Sequence, residues 1–280
     1  MTVRRFGWGF FLAVMVVFAV LPIYWMLVAS LKAGNQQLVA GNPWLPENFT
    51  LEHYWGLLRS PVFGRVILNT GIVTGATIVI SLMASTLAAF ALAYHRPQRS
   101  RGIALGLFVS YLLPPGVLFL PIALMLTRLH LTDSVLALIV TFPSLVIPFG
   151  TWVLWMSFNR LPSDVLDLAR IEGAGPLQVL RYIVLPLSVP ALAAVGLFAV
   201  AVVFNDYLYT FTLVSDPSSL TLMADVGSNL VDINDPGPTF AEIMLGVAPV
   251  AVLCAFFADT YARGFGAGVV EQAGPGPTPP

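Results

Sequence analysis

The chain has 280 residues, of which 58% are hydrophobic and only 10% are charged, and its formal net charge is −1. Soluble domains carry about 25% charged residues. The core of a soluble domain could not bury this much apolar surface. The nearly neutral charge argues against nucleic acid as a partner. The single cysteine, Cys254, cannot form an internal disulfide. The composition therefore predicts a protein that lies in a lipid bilayer.

Five windows without a charged residue or histidine follow one another along the chain, each 24 to 29 residues long. A helix needs about 20 residues to cross about 30 Å of hydrocarbon. A sixth stretch, between Glu242 and Asp259, is shorter. A helix there still crosses the membrane if Asp259 lies at the membrane–water interface. We predict one all-α transmembrane domain, residues 1–272, followed by a disordered Gly- and Pro-rich tail at 273–280. Its spans are predicted at 8–31, 66–94, 102–127, 134–158, 186–211 and 240–262.

The positive charges predict the orientation of these spans, because cytoplasmic loops are richer in Lys and Arg. With the N-terminus inside, nine of the 13 basic residues face the cytoplasm and four face outward. Both termini are therefore predicted to be cytoplasmic. Arg4 and Arg5 precede a first window that is too long for the apolar part of a cleaved signal peptide, so we predict an uncleaved span.

The predicted cytoplasmic loop at 160–185 has the pattern of two helices separated by a glycine. Ser163 is a good N-cap, Gly173 suits the left-handed residue after a helix end, and Pro176 suits the first position of a second helix. Apolar residues form one stripe on each helix: Val165, Leu168, Ala169 and Ile171, then Leu177, Leu180, Ile183 and Val184. The loop is predicted to be an amphipathic helix, a glycine break and a helix that leads into the fifth span.

This loop resembles the EAA signature of ABC importer permeases, which reads Glu-Ala-Ala, three residues, Gly, and an apolar stretch that ends in Leu-Pro. Here Asp167-Leu168-Ala169 occupy the first three positions, Gly173 has the expected offset, and Leu185-Pro186 end the stretch. Asp replaces the Glu, and Leu replaces the first Ala. Three further segments resemble the carbohydrate-type permeases, specifically the six-span subunit of maltose-type importers: Ser30-Leu31-Lys32, Phe204-Asn205-Asp206-Tyr207-Leu208 and Arg263-Gly264.

The resemblance implies a type I ABC importer permease fold in the bacterial inner membrane and transport of a sugar or related polyol. In that family the signature helix docks on a cytoplasmic ATPase. The resemblance therefore assigns ATPase coupling to Asp167, Ala169, Arg170, Glu172 and Gly173. It also implies two ATPase subunits that hold ATP and Mg, a second homologous permease and an extracytoplasmic binding protein. The alternative is a helix that merely lies on the bilayer surface, although such helices are usually richer in Lys and Arg.

The chain carries no motif of its own for using ATP. It lacks the Gly-x-x-x-x-Gly-Lys-[Ser/Thr] loop that cradles phosphates, and it shows no metal-ligand or nucleophile pattern. We therefore expect a transport subunit that is not an enzyme, binds no cofactor and no metal, and has no catalytic residue.

Polar residues near the spans are candidates for the translocation pathway. Asp206 stands in the outer part of the predicted fifth span, where a charge costs about 2.5–3.5 kcal/mol and usually faces protein or water. It is either a pathway residue or part of a hydrogen-bonded structural cluster. The further candidates are Asn205, Tyr207, Asn69, Thr70, Ser110 and Tyr111. Pro114-Pro115, Pro143 and Pro148 interrupt two spans, and such breaks either line a pathway or serve as structural kinks.

Two other classes of membrane protein compete with the importer subunit. A secondary transporter without an ATPase partner usually has internal repeats and ionisable residues within the membrane for ion coupling. This chain shows no repeat and only Asp206 at depth. A channel or structural subunit has no need for the glycine-punctuated helix pair.

Overall fold

The computed structural model of the chain describes residues 2–33, 42, 44–45, 48–94, 100–229 and 236–270, with side chains except at 2–7, 163, 170 and 258–270. In these ranges the regular structure is helical, apart from one isolated bridge between Lys32 and Phe49. The predicted tail at 273–280 lies outside the described residues. The helices are α1 Thr2–Ser30, α2 Glu52–Arg59, α3 Pro61–Tyr94, α4 Ser100–Tyr111, α5 Pro115–Arg128, α6 Val135–Phe158, α7 Ser163–Ile171, α8 Pro176–Val179, α9 Leu185–Leu187, α10 Val189–Phe204, α11 Leu208–Leu213, α12 Leu222–Asn229 and α13 Gly237–Val270.

The described helices contain four single segments that are long and apolar enough to cross a membrane. These are Trp8–Ser30, Pro61–Tyr94, Val135–Phe158 and Gly237–Phe257. Two bent helix pairs also qualify, Ser100–Tyr111 with Pro115–Arg128 and Pro176–Leu187 with Val189–Phe204, which gives six spans if each pair is one span. The predicted fold class, all-α with about six membrane-spanning helices, is confirmed.

The third span is bent by 91° where α4 meets α5. Pro114 has an extended backbone (φ −56°, ψ 132°), and Pro115 begins α5. A proline disfavours helical backbone at the residue before it, so two successive prolines end one helix and allow the next to start in a new direction. The region predicted as one span at 102–127 is therefore two helices.

The fifth span is also bent, by 79° at Ser188. Pro186 has no N–H for the helical ladder, and residues Leu180–Val184 before it form a wider π-helical turn. Pro190 then follows in the first turn of α10, which ends at Phe204. The span predicted at 186–211 is therefore not one straight helix. Its long helix, α10, starts after Ser188, and α11 is a separate short helix.

The core of the bundle is formed where α3, α6 and α10 pack together. They approach closely at Gly150 of α6, where a Cβ would lie 2.7 Å from Ser85 Oγ of α3 and 2.9 Å from Val195 Cγ1 of α10. Helix α1, in contrast, is almost fully exposed and meets α13 at an edge-to-face contact between Trp25 and Phe240. The two candidate sites pack against these three helices.

Candidate functional site

The first candidate site is the α6–α10 loop, residues 159–188, which contains α7, α8 and α9. The first residue of the loop is hydrogen-bonded to α6, because the Asn159 side-chain amide donates to the carbonyl oxygen of Trp155 at 2.8 Å. Helix α7 follows within a few residues and carries Asp164 in its first turn, where the helix dipole favours a negative charge.

Helix α7 has an apolar face against the bundle and a second apolar face that is exposed among the described residues. Ala169 is buried and Leu166 half-buried in a cluster with residues of α3, α6, α8 and α10. On the opposite side, Leu168 is 58% exposed and Ile171 is 82% exposed. The predicted stripe of four residues is therefore divided between the two faces, and Leu168, Ile171 and Val165 lie on the open one.

Gly173 ends α7 in a left-handed backbone conformation with φ +82°. The N–H of Ala174 donates to the carbonyl of Ala169 at 2.9 Å, and the N–H of Glu172 donates to that of Leu168 at 3.0 Å. The bond from Ala174 to Ala169 is typical of a helix that ends at a left-handed residue, here Gly173. Gly173 thereby sets the angle between α7 and the helix that follows.

The second half of the loop returns to the bundle as a fixed helix. The N–H of Gly175 donates to Oε1 of Gln178 at 2.8 Å, and Pro176 occupies the first turn. Leu180 and Val184 are buried against the same cluster as Ala169, while Leu177 is 71% exposed. The helices on both sides of Gly173 therefore pack against the bundle through buried side chains.

The predicted coupling residues fall in different environments on this loop. Asp167, Glu172 and Gly173 are exposed, Ala169 is buried, and the side chain of Arg170 lies outside the described residues. The most exposed apolar side chains, Leu168, Ile171 and Leu177, were not singled out from the sequence as contact residues. The three-residue spacing of Leu168 and Ile171 on α7 is the signal that identifies this face, once Ala169 is placed on the other side, and Leu177 lies on the next helix.

The second candidate site surrounds Asp206, between α10 and α11. Asp206 caps α11: Oδ1 accepts from the N–H of Tyr209 at 3.1 Å, and Oδ2 accepts from the N–H and the hydroxyl of Thr210, each at 2.9 Å. The hydroxyl of Thr221 donates to that of Thr210 at 3.1 Å. This is the hydrogen-bonded cluster that the sequence left as the alternative to a pathway residue.

Asn69 and Thr70 of α3 attach the chain between α11 and α12 to the bundle. The Asn69 amide donates to the carbonyls of Ser218 and Leu220 at 2.9 and 3.2 Å. The Thr70 hydroxyl donates to Val66 and accepts from the N–H of Leu222 at 2.9 Å. Hydrogen bonds from Ser218 also hold the pKa of Asp216 below its ordinary value.

The other pathway candidates are separate from this network. Asn205 is exposed and its amide donates to the carbonyl of Ala201 at 2.8 Å, while the exposed ring of Tyr207 stacks on Phe211. At the end of α4, the Ser110 hydroxyl donates to the carbonyl of Leu107. The half-buried Tyr111 ring lies beside two rings of other helices, Phe149 at 5.1 Å and Phe198 at 5.6 Å.

Thr70→Val is expected to loosen the start of α12, because it leaves the buried N–H of Leu222 without an acceptor. Such a loss costs about 1–3 kcal/mol. Thr70→Ser keeps the hydroxyl and serves as the control. We expect a lower midpoint of thermal unfolding for the valine variant of the purified protein than for the serine variant. Equal midpoints would show that this hydrogen bond does not hold the segment.

The fold and the sites define a multi-span helical membrane protein with an uncovered amphipathic helix in one of its loops. The chain belongs to the family of binding-protein-dependent transport system inner membrane components, which matches residues 81–269. It is therefore a multi-pass permease of the inner membrane.

Curated relatives and a solved structure agree with this family. The chain is 29% identical to the sn-glycerol-3-phosphate transport system permease protein UgpE of Yersinia pestis, over 93% of this chain and 97% of that protein. It is 28% identical to the diacetylchitobiose uptake system permease protein NgcG of Streptomyces coelicolor, over 86% of this chain and 80% of that protein. It also resembles a chain of a bacterial ABC transporter for import of the acidic polysaccharide alginate, with a TM-score of 0.79, 21% identity, and coverage of 93% and 98%.

Proposed function

We propose that this chain is one permease subunit of an ATP-driven importer that translocates a sugar or related polyol delivered by an extracytoplasmic binding protein. The family membership and the carbohydrate or polyol phosphate named for the relatives support this proposal. The observation that carries it is the open apolar face of α7. Leu168 and Ile171 expose apolar surface on a helix that is fixed to the bundle on its other side. Such a surface is suited to a protein partner.

The proposed partner at this face is a cytoplasmic ATPase subunit. Asp167, Glu172 and the Gly173 turn surround the apolar face and, with Arg170 and Ala169, form the coupling set. ATP and Mg bind the ATPase subunits, whose closure moves α7 and, through the attached α8 to α10 segment, the fifth span. The transporter then alternates between inward-open and outward-open states. We propose that the α6–α10 loop and both chain termini lie in the cytoplasm, an orientation that the distribution of basic residues supports.

A complete importer of this design has two ATPase subunits, a second homologous permease and the binding protein. Asn205, Tyr207 and Tyr111 are the proposed solute contacts of this chain, because hydroxyl, amide and aromatic groups suit a polyol and these three side chains keep accessible surface. Ser110, Asn69, Thr70 and Asp206 belong to the same proposed pathway region, and their polar atoms already bond within the chain.

Co-purification tests this assembly against a secondary transporter without an ATPase partner. An affinity tag on this chain is expected to recover a stoichiometric pair of ATPase subunits and a second permease from mild detergent. Recovery of this chain alone or as a homo-oligomer, fully active in uptake, would support the secondary transporter instead.

Asp206→Asn is expected to retain uptake, because the one remaining side-chain oxygen still caps α11, although the amide nitrogen cannot accept the second N–H. Asp206→Ala removes the cap and is expected to lower stability by about 1 kcal/mol. Uptake by proteoliposomes and thermal unfolding of the same preparations measure the two effects. If both variants lose uptake while their unfolding midpoints stay unchanged, the charge of Asp206 acts in the pathway.

A further inference from the structure

An apolar groove lies on the surface of the bundle, between α3 and the bent fifth span. It encloses about 290 Å³ and is lined by four side chains of α3 and by one each of α9 and α10: Leu82, Met83, Thr86, Leu87, Leu185 and Leu192. Met83 is 63% exposed and Leu87 is 56% exposed, so the groove is open along α3. Space with an apolar lining does not attract water, and its matching occupant is therefore hydrocarbon.

The groove lies beside the bend of the fifth span at Ser188. Leu185 and Leu192 line it from the two sides of that bend, where the chain turns by 79°. Ser188 is buried, and its N–H donates to the carbonyls of Val184 and Leu185, each at 3.1 Å. The bend is therefore hydrogen-bonded within the protein, and the gap beside it belongs to the fold.

The groove lies at the depth of lipid acyl chains. Leu82 and Leu87 precede Tyr94, the last residue of α3, by a helical rise of roughly 10–18 Å. One leaflet of hydrocarbon is about 15 Å thick. Tyr94 packs in the same cluster as Ala169 of α7, so this is the leaflet next to the α6–α10 loop. Acyl chains are as apolar as leucine side chains, and they match this lining.

A positive charge stands between the groove and the loop. Arg181 is exposed and precedes Leu185 by about one helical turn. Its guanidinium lies over the ring of Tyr182, 5.6 Å from the ring centroid, and Tyr182 is 69% exposed. Tyrosine is typical of the membrane–water interface, where basic residues bind lipid head groups. Arg181 is thus placed at head-group level, one turn from the end of the groove.

We propose that the groove binds one acyl chain of an anionic phospholipid and that Arg181 binds the phosphate of the same lipid. A guanidinium donates paired hydrogen bonds to phosphate oxygens. It also favours a lipid with a net negative charge over a zwitterionic lipid, whose own cation opposes it. The inference requires only that the chain lies in the membrane, as its family does, and it is independent of ATP and of the solute.

Photochemical labelling by lipids tests the proposal. The probes are phosphatidylglycerol and phosphatidylcholine, each with a diazirine in one acyl chain, in nanodiscs that hold this chain with its co-purifying subunits. Mass spectrometry locates the labelled residues. Helix α1, which is long, apolar and almost fully exposed, measures the labelling by ordinary surrounding lipid. We expect phosphatidylglycerol to label residues 82–87 and 185–192 roughly fivefold more than phosphatidylcholine does, the effect of about one basic residue on an anionic lipid.

Two pairs of variants separate the head group from the acyl chain. Arg181→Gln is expected to lower labelling by phosphatidylglycerol to the level of phosphatidylcholine, whereas Arg181→Lys keeps most of the difference. Leu192→Trp fills the groove and is expected to lower labelling of residues 82–87 by both lipids. Leu187→Trp is the matched control, because Leu187 is 56% exposed and does not line the groove.

Equal labelling by the two lipids, or groove labelling no stronger than that of α1, would overturn the proposal. So would labelling that appears only after the co-purifying subunits are removed, because a neighbouring subunit would then occupy the groove. The Arg181 pair decides the question alone if Leu192→Trp does not fold, since the side chain of Arg181 is exposed. Labelling of the groove that depends on Arg181 would support the site even if uptake proved independent of ATP.

Discussion

Ile171→Asp is expected to separate transport from ATP hydrolysis while the membrane-spanning part of the protein stays folded. Ile171 is 82% exposed and touches the bundle little, so the substitution leaves the core unchanged. Burial of an isoleucine against a partner contributes about 1.5–3 kcal/mol. Its loss lowers the affinity of docking by roughly 10- to 100-fold, and a buried aspartate lowers it further. The measurement is the amount of ATPase recovered with this chain, together with ATP-dependent uptake.

Ile171→Leu is the matched control, because it keeps the apolar surface at the same position. We expect it to retain both ATPase recovery and uptake. Leu168→Asp, on the same face, is expected to behave like Ile171→Asp. If the aspartate variants bind the ATPase and transport as well as the leucine variant, the open face of α7 is not a docking surface.

Gly173→Pro is expected to reduce uptake below roughly one-tenth, because proline fixes φ near −65° and this position requires a positive φ. Gly173 has φ +82°, and its turn allows the bond from Ala174 to Ala169. Gly173→Ala tests the same feature more gently, since left-handed backbone costs an alanine about 1–2 kcal/mol. Both variants alter the angle between α7 and α8 without adding charge.

Gly175→Ala provides the control on the same loop. Gly175 has φ −70°, and a Cβ there would lie 3.7 Å from Gln178 Oε1, an ordinary contact. We expect this variant to transport at the normal rate, whereas Gly173→Ala is impaired. Equal uptake by the two alanine variants, with uptake by Gly173→Pro preserved, would exclude a role for the turn angle in coupling.

The spans and the end of α7 could be predicted from the sequence because they depend on local properties. Lipid excludes charge over about 20 residues, so windows free of charge predict spans directly. Gly173 followed by Pro176 predicts a helix end for steric reasons that need no tertiary contact. The break at Pro114-Pro115 was also predicted, whereas α6 continues through Pro143 and Pro148 and the bend at Ser188 was not predicted. The sequence does not give the bend angles, because these depend on how both halves pack.

The exposed face of α7 and the bonds around Asp206 could not be read from the sequence with the same certainty. Val165, Leu168, Ala169 and Ile171 cover a wide arc of a short helix, and only the position of the bundle divides them. Asn69 bonds with residues about 150 positions later in the chain. Its polar side chain was compatible with a pathway or with a structural contact until those partners were placed.

We propose that transport by this chain is driven by ATP on a separate subunit. The most direct test is uptake of the solute by proteoliposomes that contain the purified complex, with the binding protein outside and ATP and Mg either inside or absent. We predict uptake only with ATP inside, and its loss in the Ile171→Asp variant. Uptake that persists without ATP, or that follows an imposed ion gradient, would contradict the account.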